Sequence, residues 1–426
     1  MRRRTFLGAT LAAPALEAAQ SPSNRPNGRL KISAVEIWRV DGRHETVRGI
    51  NAQYQAQAIH IYDERRPAPY RDNPAPQKAL APISALYLKI RTDAGLDGFY
   101  GPIDKEAAIV VDQQLARFLI GKDPLAIEAL WDQMYRLNRH ARTGHFMMAI
   151  SAVDNTLWDL RGRYFNQPVY RLLGGPTRPF VEVYGSTLGY SVEPAAARAR
   201  AVELKKAGFR MQKWFLAYGP GSGADGFRQN VELVKNVREA AGDDADLMFD
   251  AYMAWDLNYA IAWAKQVEQY RPRWIEEAFS PDKIASFAEL RRATTIPVAS
   301  GEHIYNRWEA QRYLSAGALN VIQCDPEWCG GVSELVKICA LASVYDVHVV
   351  PHGHSMHTAV HVVASQSPMT CPMVEDLIIK MQSYHFFEKE PLVVEKGRIA
   401  LPERPGFGIS LDPDMVEKQA IVRGAL

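Results

Sequence analysis

Seven ionisable residues stand at the ends of short β-rich runs from the midpoint of this 426-residue sequence onward: Lys213, Asp250, Glu276, Glu302, Asp325, His352 and Glu375. From Asp250 onward they are spaced by 26, 26, 23, 27 and 23 residues, each step about one strand–helix unit. A single carboxylate at a strand end usually caps the following helix. Three in succession, Asp250, Glu276 and Glu302, would repel one another at a common locus unless a cation joined them. An all-oxygen donor set selects a hard ion, and Mg²⁺ with water in its open positions suits it. Asp325 and His352 form a second unit, in which the carboxylate holds one imidazole nitrogen and raises the basicity of the other. His303 directly follows Glu302 and His354 shares the parity of His352, although lone histidines in such places are more often structural. Glu277, the neighbour of Glu276, is expected to point away from the interior by strand alternation.

For these side chains to meet, the runs that carry them must lie side by side. The runs are 181–184, 208–215, 247–250, 274–276, 298–301, 321–325, 347–352 and 373–375, with helical stretches between them. Eight strands alternating with helices favour a parallel α/β barrel of the TIM type over an antiparallel arrangement. A doubly wound open sheet is the structural rival. In such barrels, the C-terminal strand ends form the active site.

Ahead of the barrel, residues 30–37 alternate as a half-buried strand and residues 86–92 form another. Phe146, Ile150, Val153, Leu157 and Leu160 step by four and three, which predicts a buried amphipathic helix over 147–165. Residues 51–82 hold five prolines and read as a long functional or disordered loop. The repeat fades after Glu388, and the last residues are expected to pack back on the N-terminal part. The resulting division is 1–29 export signal and linker, 30–150 capping α+β domain, 151–385 barrel, and 386–426 a segment completing the cap.

Composition bounds the function. With 23% charged residues, 47% hydrophobic residues and a formal net charge of +2, the chain has a soluble globular profile and no bias toward nucleic acid or a membrane surface. Arg2, Arg3 and Arg4 ahead of Phe6, Leu7 and a short Ala-rich run read as a secretory signal of twin-arginine kind, hence export to the periplasm; with an idle signal the chain would remain cytoplasmic. Cys324, Cys329, Cys339 and Cys371 lack zinc-site spacing and read as small core residues.

The ordered set from Lys213 to Glu375 resembles the enolase superfamily in its mandelate racemase/muconate lactonizing enzyme subgroup. So do Ala149 to Asp154, Trp158-Asp159-Leu160 and Leu172-Leu173-Gly174-Gly175. Ser300-Gly301-Glu302-His303, Asp325 with Trp328-Cys329-Gly330-Gly331, Val350-Pro351-His352-Gly353 and Pro405-Gly406-Phe407-Gly408 are similar to the L-rhamnonate dehydratase family. That resemblance implies an acid-sugar dehydratase, a hydro-lyase acting on a small carboxylate and assembled as a homo-oligomer. His352 takes the α-proton, Mg²⁺ on Asp250, Glu276 and Glu302 stabilises the charge that results, and the 3-hydroxyl leaves to give a 2-keto-3-deoxy acid. It further implies that Lys213 is electrostatic, that His352, His303 or Glu375 donates a proton to the leaving group, and that Arg71 and His60 bind substrate. Tyr252, His303 and Trp328 share in selecting the sugar.

One departure narrows the chemistry. Many relatives carry Lys-x-Lys at the second strand, where this chain has Lys213-Trp214-Phe215, so a second base is missing and a racemase is less favoured. Two rivals come from other classes. Gly221-Ser222-Gly223-Ala224-Asp225-Gly226 matches GxGxxG with Asp250 placed as the ribose acid, which would mean a nicotinamide-dependent oxidoreductase, but the glycines begin six residues after the strand. An exported binding protein without turnover would have no need of the Asp325–His352 pair.

Overall fold

The computed structural model describes residues 30–48, 55–66 and 77–424. The basic N-terminal segment and Arg71 therefore lie outside the described residues. Two sheets organise the chain. The first is antiparallel, in the order β13-β1-β2-β3, from β1 (Ile32–Arg48), β2 (Gln77–Thr92), β3 (Gly98–Tyr100) and, from the far end of the sequence, β13 (Lys418–Val422). The pairing of Ile37 with Val422 and Asp41 with Lys418 shows how the C-terminal segment completes the cap.

The second sheet is parallel and curled, running through β4 (Phe180–Ser186), β5 (Met211–Phe215), β6 (Asp246–Asp250), β7 (Trp274–Glu276), β8 (Val298–Ser300), β9 (Val321–Ile322), β10 (His348–Val349) and β11 (Met373–Leu377). β11 pairs with β4, and Val349 N donates to Thr370 O (2.8 Å) across the remaining gap, which gives a TIM-type barrel. β12 (Arg398–Ala400) adds antiparallel to the start of β4, so part of the C-terminal segment belongs to the barrel floor and not to the cap.

Alternation explains what the strands present. Tyr184, Met248, Trp274, Ala299, Val321, Val350 and Met373 make one buried cluster inside the barrel. Met248, Trp274 and Met373 each lie two residues before Asp250, Glu276 and Glu375, so period-two geometry aims those three inward at the mouth, and His352 follows in the loop just beyond β10.

The expected helix spans His145–Phe165, and it is buried on nearly every side because it joins the two units. Toward the barrel, Asp154 accepts from Ser333 N (2.9 Å) and Ser333 Oγ (2.7 Å). Toward the cap and C-terminal segment, Asp159 accepts from Phe99 N (2.9 Å) and Phe407 N (3.0 Å). Gly406 (φ +70°) passes so close that a Cβ there would fall on Asp159 Oδ1. Gly406→Ala should therefore cost more than the ~1–2 kcal/mol of a left-handed L-residue alone, read as a lowered midpoint in urea unfolding. A midpoint equal to wild type would show that the segment docks elsewhere.

The expected 51–82 loop is shorter than read. Residues 77–82 belong to β2, with Pro82 opposite Arg43. In that stretch, among the described residues, β2 has β1 as its only paired neighbour, so a residue without an N–H breaks no second ladder. All four cysteines are free and buried, as small core residues would be. Among the described residues, no helix is long and apolar enough to cross a membrane.

Candidate active site

Lys213, at the centre of β5, is almost completely buried, and its ammonium reaches Asp250 Oδ2 (3.2 Å), Glu276 Oε1 and Glu375 Oε1 (2.8 Å). Burial works against its charge, but Glu276 and Glu375 outweigh it and raise its pKa well above the ordinary lysine value. Lys213 is thus a fixed cation. Phe215, two residues on and on the same face, puts its ring 5.1 Å from that ammonium.

Asp250 and Glu276 are register partners on β6 and β7. Asp250 Oδ1 also accepts from Tyr252 N (2.9 Å), and Glu276 Oε2 accepts from Trp274 Nε1 (2.8 Å). Burial raises both carboxyls despite Lys213, Glu276 to about 7. Glu375 behaves oppositely. Burial opposes its ionisation, yet Lys213 and His352 prevail and hold it at about 2, while its Oε2 accepts from Gly353 N (2.9 Å). In this arrangement Glu375 serves as a partner to Lys213 and the Gly353 N–H.

Glu277 departs from its expected direction. β7 ends at Glu276 and Glu277 has φ +44°, so alternation no longer applies and its carboxyl turns toward the mouth. It is buried and lies with Glu302 and His303, their ligand-type atoms all within 4.8 Å of one another. Burial, then Glu302 and Asp250, push its pKa well above the ordinary value. Glu302 arrives by a similar bend, since β8 stops at Ser300 and Gly301 takes φ +134°. Tyr252 (φ +51°) and Met253 (φ +60°) complete a rim of left-handed residues, a kind of strain that gathers at functional sites.

The Asp325–His352 pair is formed. His352 Nδ1 donates to Asp325 Oδ2 (2.6 Å), and its Nε2 faces Glu302 Oε2 at 3.5 Å. Burial lowers the imidazole pKa, but Glu302 and Asp325 together bring it to about 9. The largest raising influence is Glu302, one of the carboxylates a cation would neutralise. Asp325 Oδ1 accepts from Glu327 N (2.6 Å), which fixes the carboxylate in turn. His303 stacks on Trp328 (5.5 Å between centroids, 3° between planes), and Trp328 also packs against His352 at 5.2 Å.

The donor types suit a divalent cation. The ligand-type atoms that lie within 4.8 Å of one another are those of Glu277, Glu302 and His303, whereas Asp250 and Glu276, expected as ligands beside Glu302, are held by Lys213 and stand outside that close group. His60 is not brought to this cluster. Its Nδ1 accepts from Gln57 N (3.2 Å), and its carbonyl accepts from Arg66 Nε (3.2 Å) on a short turn that covers Gly221. That cover bears on the glycine motif: Arg66, His60 and Ile61 occupy the space beside Gly221 where a phosphate would need room, and Asp250 is engaged by Lys213. Sequence reading misjudged Glu277 and did not single out Asp104, which accepts from Trp328 Nε1, or Lys380, which lies against His354 Nδ1. Only the first had a signal, in the doubled glutamate at the end of β7.

An antiparallel cap completed by the C-terminus, over a barrel whose strand ends carry this carboxylate and Asp–His set, defines a class of enzyme. The chain belongs to the enolase superfamily: residues 195–415 match the family described as "Enolase C-terminal domain-like", and 77–174 match "Mandelate racemase / muconate lactonizing enzyme, N-terminal domain". An L-rhamnonate dehydratase from Saccharopolyspora erythraea is 34% identical over 386 residues, covering 87% of this chain and 95% of the relative. The crystal structure of L-rhamnonate dehydratase from Gibberella zeae superposes with a TM-score of 0.77 at 30% identity, over 94% of this chain and 98% of the other. The Gibberella zeae rhamnonate dehydratase complexed with Mg gives 0.76 at 29% identity, over 92% and 96%.

Proposed function

We propose that the chain is a Mg²⁺-dependent acid-sugar dehydratase of the L-rhamnonate dehydratase kind. The observation that carries this reading is the single, oriented base: His352, with Nδ1 held by Asp325 at 2.6 Å and Nε2 turned toward the carboxylate cluster at 3.5 Å. Likeness to the dehydratases above supports the substrate class.

The chain's own groups suffice for most of the chemistry. His352 Nε2 takes the proton from the carbon next to the substrate carboxylate. The electron pair left behind expels the 3-hydroxyl as the C3–O bond breaks, and the leaving oxygen takes a proton to depart as water. His352 can return the proton it took, with His303 as the second candidate donor. The resulting enol tautomerises to a 2-keto-3-deoxy acid. Asp250, Glu302 and one or both of Glu276 and Glu277 would hold Mg²⁺, which when bound would supply positive charge against the negative charge that develops on the substrate carboxylate. Lys213 adds fixed positive charge beneath, and Phe215, where many relatives carry a second base, cannot take a proton, which favours elimination over racemisation.

A library of acid sugars incubated with enzyme and Mg²⁺ should yield a 2-keto-3-deoxy product from at least one member, with chelation by EDTA abolishing turnover. Racemisation as the main activity, or turnover at the full rate after chelation, would refute the reading. Glu277→Gln is expected to weaken Mg²⁺ affinity by roughly tenfold, the lower end for groups that support a metal site, as measured by titration calorimetry; unchanged affinity would return Glu277 to a purely structural role.

A further inference from the structure

Trp328 forms a wall against three histidines: His303, His352, and His354 at 4.8 Å between centroids. An indole has one polar atom, and here Trp328 Nε1 donates to Asp104 Oδ2 (3.0 Å). The other oxygen of the same carboxylate, Oδ1, accepts from His354 Nε2 (2.9 Å). The His354 tautomer is set from its other side, because Lys380 Nζ, which can only donate, lies against Nδ1 and leaves the proton on Nε2. The backbone N of His354 donates to Asp325 Oδ2 (3.2 Å), the oxygen that holds the base. Asp104 comes from the cap, just beyond β3, where Tyr384 Oη donates to Pro102 O (2.9 Å) as a second tie across the seam.

We propose that Asp104 is a positioning residue for the dehydration. One carboxylate of the cap clamps Trp328 and His354, and so holds the aromatic wall against which His352 and His303 work. The inference rests on the dehydratase reading. Both oxygens are needed because both partners are N–H donors. In Asp104→Asn the amide oxygen can serve one of them, while its NH₂ faces the other and cannot accept.

The contact and its consequence can be measured separately. With ¹⁵N-labelled tryptophan, the Trp328 indole resonance is identified by its loss in Trp328→Phe, and it should shift in Asp104→Asn while the other indole signals stay in place. In turnover, Asp104→Asn should lower kcat by about tenfold to a hundredfold, the range for a lost charge-assisted hydrogen bond, with KM changing less than about threefold. Trp328→Phe removes the same N–H from the other side, and the double variant should be no slower than the worse single, as expected for one shared interaction. An unmoved indole resonance, wild-type kcat in Asp104→Asn, or multiplicative losses in the double variant would overturn the proposal. Should Asp104→Asn fold poorly, wild-type kcat in Trp328→Phe would overturn it equally well. A wild-type enzyme inactive on every acid sugar would defeat the dehydratase reading and the catalytic role with it, whereas a shifted indole resonance would still establish the clamp.

Discussion

His352→Asn should lower turnover by about 10²- to 10⁴-fold, the usual share of a general base, while Mg²⁺ still binds. Asparagine keeps the approximate size and can donate to Asp325, so the carboxylate that holds Nδ1 at 2.6 Å is not left without a partner. What disappears is the acceptor facing the carboxylate cluster. Asp325→Asn should fall less far, since the imidazole remains but loses the charge that raises its basicity. Exchange of the substrate α-proton in D₂O, followed by NMR, isolates this step from loss of the hydroxyl. Exchange at the wild-type rate in His352→Asn would remove His352 from its role and move the search to His303, which stacks on the same indole.

Lys213→Met should be the most destabilising single change at the mouth. The methionine fills similar space, but Asp250, Glu276 and Glu375 lose the ammonium they share, and all three are buried. Breaking a buried pair by removing one partner costs about 3–5 kcal/mol because the remaining charge is left uncompensated. Urea unfolding without added metal measures the loss. Excess Mg²⁺ should restore part of it, because a ligand that binds only the folded state stabilises by mass action. Stability equal to wild type in metal-free buffer would mean that these carboxyls are protonated or solvated, and Lys213 would then be no structural counterion.

Much of this arrangement was legible because it follows from two short-range rules. Period-two alternation and near-constant spacing placed Asp250, Glu276, His352 and Glu375 at neighbouring strand ends, and the barrel delivers them to one mouth. The 3.6-residue stepping from Phe146 to Leu160 located the central helix within two residues of its start. The failures occur where the backbone leaves those rules. Glu277 turns inward through a positive φ that alternation cannot anticipate. Residues 77–82, read as loop from their composition, form strand because a partner far earlier in the chain pairs with them. Asp104 reaches Trp328 from just beyond β3, and no spacing in one dimension announces a contact 224 positions apart.

The pairing of β13 with β1 sets the order of synthesis against the order of assembly. Ile37–Asp41 leaves the ribosome long before its partner Lys418–Val422. Until that partner arrives, this edge of β1 presents unpaired backbone groups, a template for pairing with other chains. The cap can therefore close only after the barrel strands have been made. A chain cut short before Lys418 would carry a cap with an open edge, prone to aggregate through the strand that β13 covers in this structure.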